Sequence, residues 1–128
     1  MNAIPLLVVD DNALNARLLS YILAAAGFVV ETASDAAQCR ALLERYTPRL
    51  ILMDVQLPGM DGLELTRLLK ADPRTRDILV IAVTASAMDG DEKRAMNAGC
   101  DGYISKPIDT RNLAGQVRDL IERAARPG

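Results

Sequence analysis

The side chains best suited to chemistry in this 128-residue chain each stand at the carboxyl end of a short apolar run. Asp10 and Asp11 follow Ile4 to Val9, Asp54 follows Leu50 to Met53, Thr84 follows Ile78 to Val83, and Lys106 comes just after Gly102 to Ile104. Three carboxylates sharing one pocket would repel one another and raise at least one pKa, unless a hard divalent cation relieved the repulsion through oxygen ligands. Mg²⁺ is the natural candidate, with positions left for water and a phosphoryl oxygen. A hydroxyl and an ammonium are what a bound phosphoryl group needs for neutralisation. Each residue alone has a plainer use: Asp11 or Asn12 could cap a helix, Thr84 could be an ordinary strand residue and Lys106 a solvated charge. It is their shared position at strand ends that argues for a site.

Such residues meet only if the runs are parallel strands of one sheet, whose carboxyl ends line a single crevice. These four runs, with Phe28 to Val30 as a further one, are short and rich in β-branched residues and mostly lack polar alternation, as strands buried on both faces do. Pro5 opens the first run, where a missing N–H is tolerated. Between the strands lie helical patterns. Leu14, Leu18, Leu19, Ile22 and Leu23 mark one buried stripe, Cys39, Leu42, Leu43 and Tyr46 a second, Leu65, Leu68 and Leu69 a third. The last helix carries Leu113, Val117, Leu120, Ile121 and Ala124 behind a cap at Asp109 or Thr110, and Asp61 with Glu64 resembles a capping box. The segment Asp89 to Asn97, stopped by Gly99, offers little apolar surface beyond Ala95, Met96 and Ala98 and is expected to be the least firmly anchored. Strand and helix alternate five times. The pattern predicts an α/β fold, a flavodoxin-like doubly wound five-stranded parallel sheet of order 2-1-3-4-5 with helices on both faces. One domain over 1–128 is expected, its tail fraying from about 125.

Composition narrows the function. With 15 basic and 17 acidic residues and few aromatics, the chain lacks the cation excess needed to grip a phosphate backbone, so direct nucleic-acid binding is not expected. No apolar stretch reaches the ~20 residues of a membrane span, and the amino terminus has no secretory pattern, so a cytoplasmic protein is expected. Cys39 and Cys100 are read as free thiols of a reducing compartment. Zero histidine excludes a histidine base, histidine-ligated zinc and a phosphohistidine on this chain. Phosphate chemistry must therefore use carboxylates.

The stretches Val9-Asp10-Asp11-Asn12, Leu52 through Gly62, Val83-Thr84-Ala85 and Tyr103-Ile104-Ser105-Lys106-Pro107 resemble response-regulator receiver domains, the CheY-like family, over nearly the whole chain. Within it the pattern is similar to stand-alone receivers of the cell-cycle type. The resemblance implies that Asp54 is the phosphoacceptor and that Mg²⁺ is held by Asp11 and Asp54 directly, by Asp10 through water and by the main-chain carbonyl of Gln56. It further implies that Lys106 neutralises the phosphoryl group, that Thr84 bonds it, with Ala85 leaving room, and that Tyr103 turns inward as Thr84 moves, altering the surface around the fourth helix, fifth strand and fifth helix. It implies a cis Lys106-Pro107 bond. Gln56 and Ser86 occupy positions that in the family govern water access to the acyl phosphate. The implied partners are a sensor histidine kinase or a histidine phosphotransfer protein, docking near Leu14 and Arg17, and a downstream protein target, with the chain a monomer or weak homodimer. On this reading the protein is a phosphoacceptor switch and not an enzyme, beyond weak self-catalysed phosphoryl transfer and autodephosphorylation. The alternative is a receiver-like module that binds proteins independently of phosphorylation. A phosphatase would want a carboxylate two residues after Asp54, where Gln56 stands, and no glycine-rich phosphate loop is present.

Overall fold

The structure, a computed structural model, describes residues 3–85 and 91–125. Its elements run β1 (Pro5–Val9), α1 (Ala13–Ala25), β2 (Val29–Ala33), α2 (Ala36–Leu43), β3 (Leu50–Asp54), α3 (Gly62–Ala71), β4 (Leu79–Thr84), α4 (Asp91–Ala98), β5 (Gly102–Ser105) and α5 (Leu113–Ala125). The strands form one parallel sheet of order β2-β1-β3-β4-β5, the predicted doubly wound arrangement. Among the described residues no helix is long and apolar enough to cross a membrane.

Alternation along the strands feeds two cores. Leu7, Val9, Ile51, Met53, Val80 and Ala82 pack on one face with residues of α2, α3 and α4. Leu6, Val8, Leu50, Leu52, Ile81 and Val83 pack on the other with residues of α1 and α5. Strands β1, β3 and β4 are therefore buried on both sides, which is why their sequences are apolar runs without polar alternation.

Several local expectations are corrected. Strand β2 runs to Ala33, beyond the expected Val30, because it is an edge strand whose Glu31 and Thr32 are exposed. Helix α1 turns Ala16, Leu19 and Leu23 inward and leaves Leu14 and Leu18 at 76% and 50% exposure, so the buried stripe lies to one side of the expected one. The helix is apolar on more than one side, and the spacing of leucines alone does not say which side packs. Leu68 of α3 and Ala124 of α5 are likewise exposed. Helix α2 stops at Leu43, so Tyr46 lies beyond it, with its hydroxyl donating to the carbonyls of Leu6 (2.9 Å) and Val29 (3.2 Å). Asp109 caps a turn, accepting from Arg111 N–H (3.1 Å), and α5 begins only at Leu113. Asp61 caps α3 by accepting from Leu63 N–H (2.8 Å), but no bond returns from Glu64 among the described residues, leaving half a capping box. The amino-terminal part of the expected 89–97 helix lies outside the described residues; from Asp91 onward it is helical. Cys39 and Cys100 are free and buried, and burial pushes the Cys39 thiol up to about 12.

Candidate functional site

Register brings the carboxylates together. Val9 pairs with Met53, so the next residues, Asp10 and Asp54, emerge side by side from β1 and β3. Asp10, Asp11 and Asp54 each offer a carboxylate oxygen, all within 4.8 Å of one another. Asp10 and Asp54 are buried, while Asp11 is exposed at the mouth. The Asp10 carboxylate also accepts from Asn12 N–H (2.9 Å), and Asn12 in turn caps α1 by accepting from Asn15 N–H. The capping role open to Asp11 or Asn12 thus falls to Asn12, and Asp11 joins the carboxylate cluster.

Asp54 sits between opposing influences. Its Oδ1 accepts from Gln56 N–H at 3.0 Å, and its Oδ2 lies 3.5 Å from the Lys106 ammonium. Burial raises its pKa above the ordinary carboxylate value and the Asp10 charge adds to this; the Gln56 N–H and Lys106 pull it back, and the net direction is upward. A cluster of hard oxygen donors with this much mutual repulsion fits a divalent cation such as Mg²⁺.

The remaining strand ends close the crevice. Thr84, 3% exposed, ends β4 opposite Ser105, and its carbonyl accepts from Lys106 N–H at 2.7 Å. Lys106 is thereby tied by its main chain to β4 and by its side chain to Asp54. The Lys106-Pro107 bond is cis, as the family pattern implies. Tyr103 lies on β5, partly buried against the α2/α3/α4 core, and the Glu92 carboxylate near it pushes the phenol pKa above its usual value. Gln56 is exposed in the loop after Asp54, and Ser86 lies outside the described residues.

The loop after β3 returns tightly. Gly62 N–H donates to Val55 carbonyl (2.9 Å), and a Cβ at Gly62 would sit 2.1 Å from the Asp54 carbonyl oxygen. Only glycine lets α3 start directly against the end of β3. Sequence reasoning quoted Gly62 only at the end of the Leu52 to Gly62 stretch, without seeing this close approach. It also missed Glu92, whose exposed position on a charged helix carries no signal, and the Asp61–Arg94 pair at 3.9 Å.

Comparison with known proteins agrees with this geometry. The receiver-domain model of response regulators matches residues 6–118. The polar-differentiation response regulator DivK of Brucella anthropi is 46% identical over 90% of this chain and 94% of its own length. A CheY-like response regulator receiver domain protein of Methanospirillum hungatei superposes with a TM-score of 0.87 at 31% identity, covering 99% of this chain and all of the other. The receiver domain of a Pseudomonas aeruginosa sensor histidine kinase, solved with a magnesium ion coordinated in its active-site cleft, gives a TM-score of 0.85 at 31% identity over 94% of this chain and 99% of its own. A family match across most of the chain, a close relative and a shared sheet order lead to one conclusion: this chain belongs to the response regulator receiver domain family.

Proposed function

We propose that this protein is a response regulator of two-component or phosphorelay signalling that accepts a phosphoryl group on Asp54 from a partner's phosphohistidine. The observation that carries the reading is the Asp10, Asp11 and Asp54 cluster with the Lys106 ammonium 3.5 Å from the Asp54 carboxylate. Asp11 and Asp54 would hold Mg²⁺ directly, Asp10 through water and Gln56 through its main-chain carbonyl. The ion, when bound, would offset negative charge on the transferred group.

An Asp54 carboxylate oxygen attacks phosphorus in line, the P–N bond to the partner's imidazole breaks, and the imidazole leaves with a proton while an acyl phosphate forms. Lys106 neutralises charge gathering on the phosphoryl oxygens. Thr84 then bonds one of them, Tyr103 turns inward, and the surface of α4, β5 and α5 changes its affinity for a downstream protein. This makes the protein a phosphoacceptor switch rather than a turnover enzyme, and two buried free thiols suit a cytoplasmic location.

Docking of the phosphodonor is assigned to α1. Leu14, Leu18 and Tyr21 stand exposed on it, and Leu18 borders a cleft of about 250 Å³ with Asp10, Lys106 and Ile108. A partner helix laid there would bring its histidine to the carboxylates. Incubation with a small phosphodonor and Mg²⁺ tests the reading by intact mass: one phosphoryl adduct is expected on the parent and none on Asp54→Asn. An adduct of undiminished yield on the variant, or none on the parent, overturns it.

A further inference from the structure

One residue fastens both ends of the turn between β1 and α1. Asp10 leaves β1 with its N–H donating to the Ala33 carbonyl of β2 (3.0 Å), and its carboxylate Oδ1 accepts from Asn12 N–H (2.9 Å). The Asn12 backbone is extended, at φ −86° and ψ 108°, and its side-chain oxygen accepts from Asn15 N–H (3.0 Å). Its carbonyl accepts from Ala16 N–H (3.0 Å). Asn12 therefore joins a buried carboxylate, through its main chain, to the first turn of a helix, through its side chain. Little else holds that turn, since Ala13, Leu14 and Asn15 are exposed and Ala16 is the first residue of α1 to be buried.

Asp11 lies between the two anchors. It is exposed, and among the described residues nothing donates to its carboxylate, yet its carboxylate comes within 4.8 Å of those of Asp10 and Asp54. Like charges at that spacing repel, so no attraction among them puts Asp11 there. Its place comes from the main chain on either side, which Asn12 holds.

We propose that Asn12 is a positioning residue for the cation site: by capping α1, its side chain keeps Asp11 in reach of the ion with no ion bound. The inference rests on the reading of Asp10, Asp11 and Asp54 as a Mg²⁺ site. Loss of the cap lets the first turn of α1 open, and with it move the N–H that Asp10 uses and the backbone that carries Asp11. Only the fraction of molecules with the turn closed binds the ion at full strength, so the apparent affinity falls with that fraction. A cap of ordinary strength makes the loss about three- to tenfold.

The test titrates Mg²⁺ into the full chain and reads the dissociation constant from amide shifts of residues 10–12 and 54–56, with thermal melts in chelator measured beside it. Asn12→Ala is expected to bind Mg²⁺ about three- to tenfold more weakly than the parent, and Asn12→Ser, which restores an acceptor at the cap, within about twofold of it. Tyr46→Phe, whose lost hydroxyl bonds main chain four residues before Asp10, is expected to lose comparable stability and keep the parent's affinity. In the parent, amide order parameters at residues 11–13 are expected to be as high without Mg²⁺ as with it, and to drop in ion-free Asn12→Ala. Asn12→Ala at the parent's affinity, Asn12→Ser as weak as Asn12→Ala, or Tyr46→Phe weakened as much as Asn12→Ala overturns the positioning role. So do residues 11–13 that order in the parent only when Mg²⁺ is added, a readout that needs no variant. A parent whose amide shifts do not respond to Mg²⁺ overturns the cation site itself, and the role of Asn12 with it.

Discussion

Replacing Asp54 by Asn should stabilise the protein in a chelating buffer at neutral pH and weaken its stabilisation by Mg²⁺. Two carboxylates within 4.8 Å repel by about 3 to 4 kcal/mol at an effective dielectric constant of about 20. Lys106, 3.5 Å from Asp54 but with its side chain 32% exposed, returns a comparable amount after discount for solvent screening. What remains is the burial of a carboxylate at 5% exposure, partly offset by the Gln56 N–H, which an Asn oxygen can still accept. The net gain on neutralisation is about 1 to 2 kcal/mol, or roughly 3 to 8 °C in Tm for a domain of this size.

The pH dependence has a definite sign. Because the native pKa of Asp54 is raised, chiefly by burial, the native state binds more protons than the unfolded state between the unfolded value of about 3.9 and the raised value. Stability from this residue therefore falls as pH rises through that window, and the loss is complete above it. Below about pH 4 both states are protonated, and parent and variant should converge. Thermal melts in chelator from pH 3.5 to 8, repeated at pH 7 with Mg²⁺, make the comparison. A variant less stable than the parent in chelator at pH 7, or one gaining as much from Mg²⁺ as the parent, refutes the reasoning.

Three further outcomes follow from single contacts. Gly62→Ala must displace main chain at Asp54, since the new Cβ would lie 2.1 Å from a carbonyl oxygen; it should cost about 3 kcal/mol or more in denaturant unfolding, and a cost below about 1 kcal/mol would contradict the close approach. Tyr46→Phe removes the hydroxyl that ties the segment after α2 to β1 and β2 and should lower stability by about 1 kcal/mol, checked in the same assay. Lys106→Met removes the cation beside Asp54 and should slow phosphorylation by a small phosphodonor about ten- to a hundredfold, measured by the rate of adduct formation in intact mass.

Strands β1, β3 and β4 were readable because burial on both faces leaves an unbroken apolar run, whereas β2, exposed along Glu31 and Thr32, could be followed only to Val30. In α1 and α3 the leucines overstated burial, since Leu14, Leu18 and Leu68 face outward and Ala16 packs in their place. The candidate site was legible for a different reason. Asp10, Asp54 and Thr84 end central strands, so strand order alone predicts that they meet, and Lys106 follows one residue after β5. Lys70 was not legible, because its role comes from a partner on another element, Asp101, and a charged residue on a helix reads as solvated.

The central claim is that phosphorylation occurs on Asp54 and on no other carboxylate of the cluster. Borohydride reduction of the phosphorylated protein converts an aspartyl phosphate to homoserine, and peptide mass analysis then identifies the modified residue. The account predicts homoserine at position 54, dependent on Mg²⁺. Homoserine at position 10 or 11, or a modification indifferent to Mg²⁺, would contradict it.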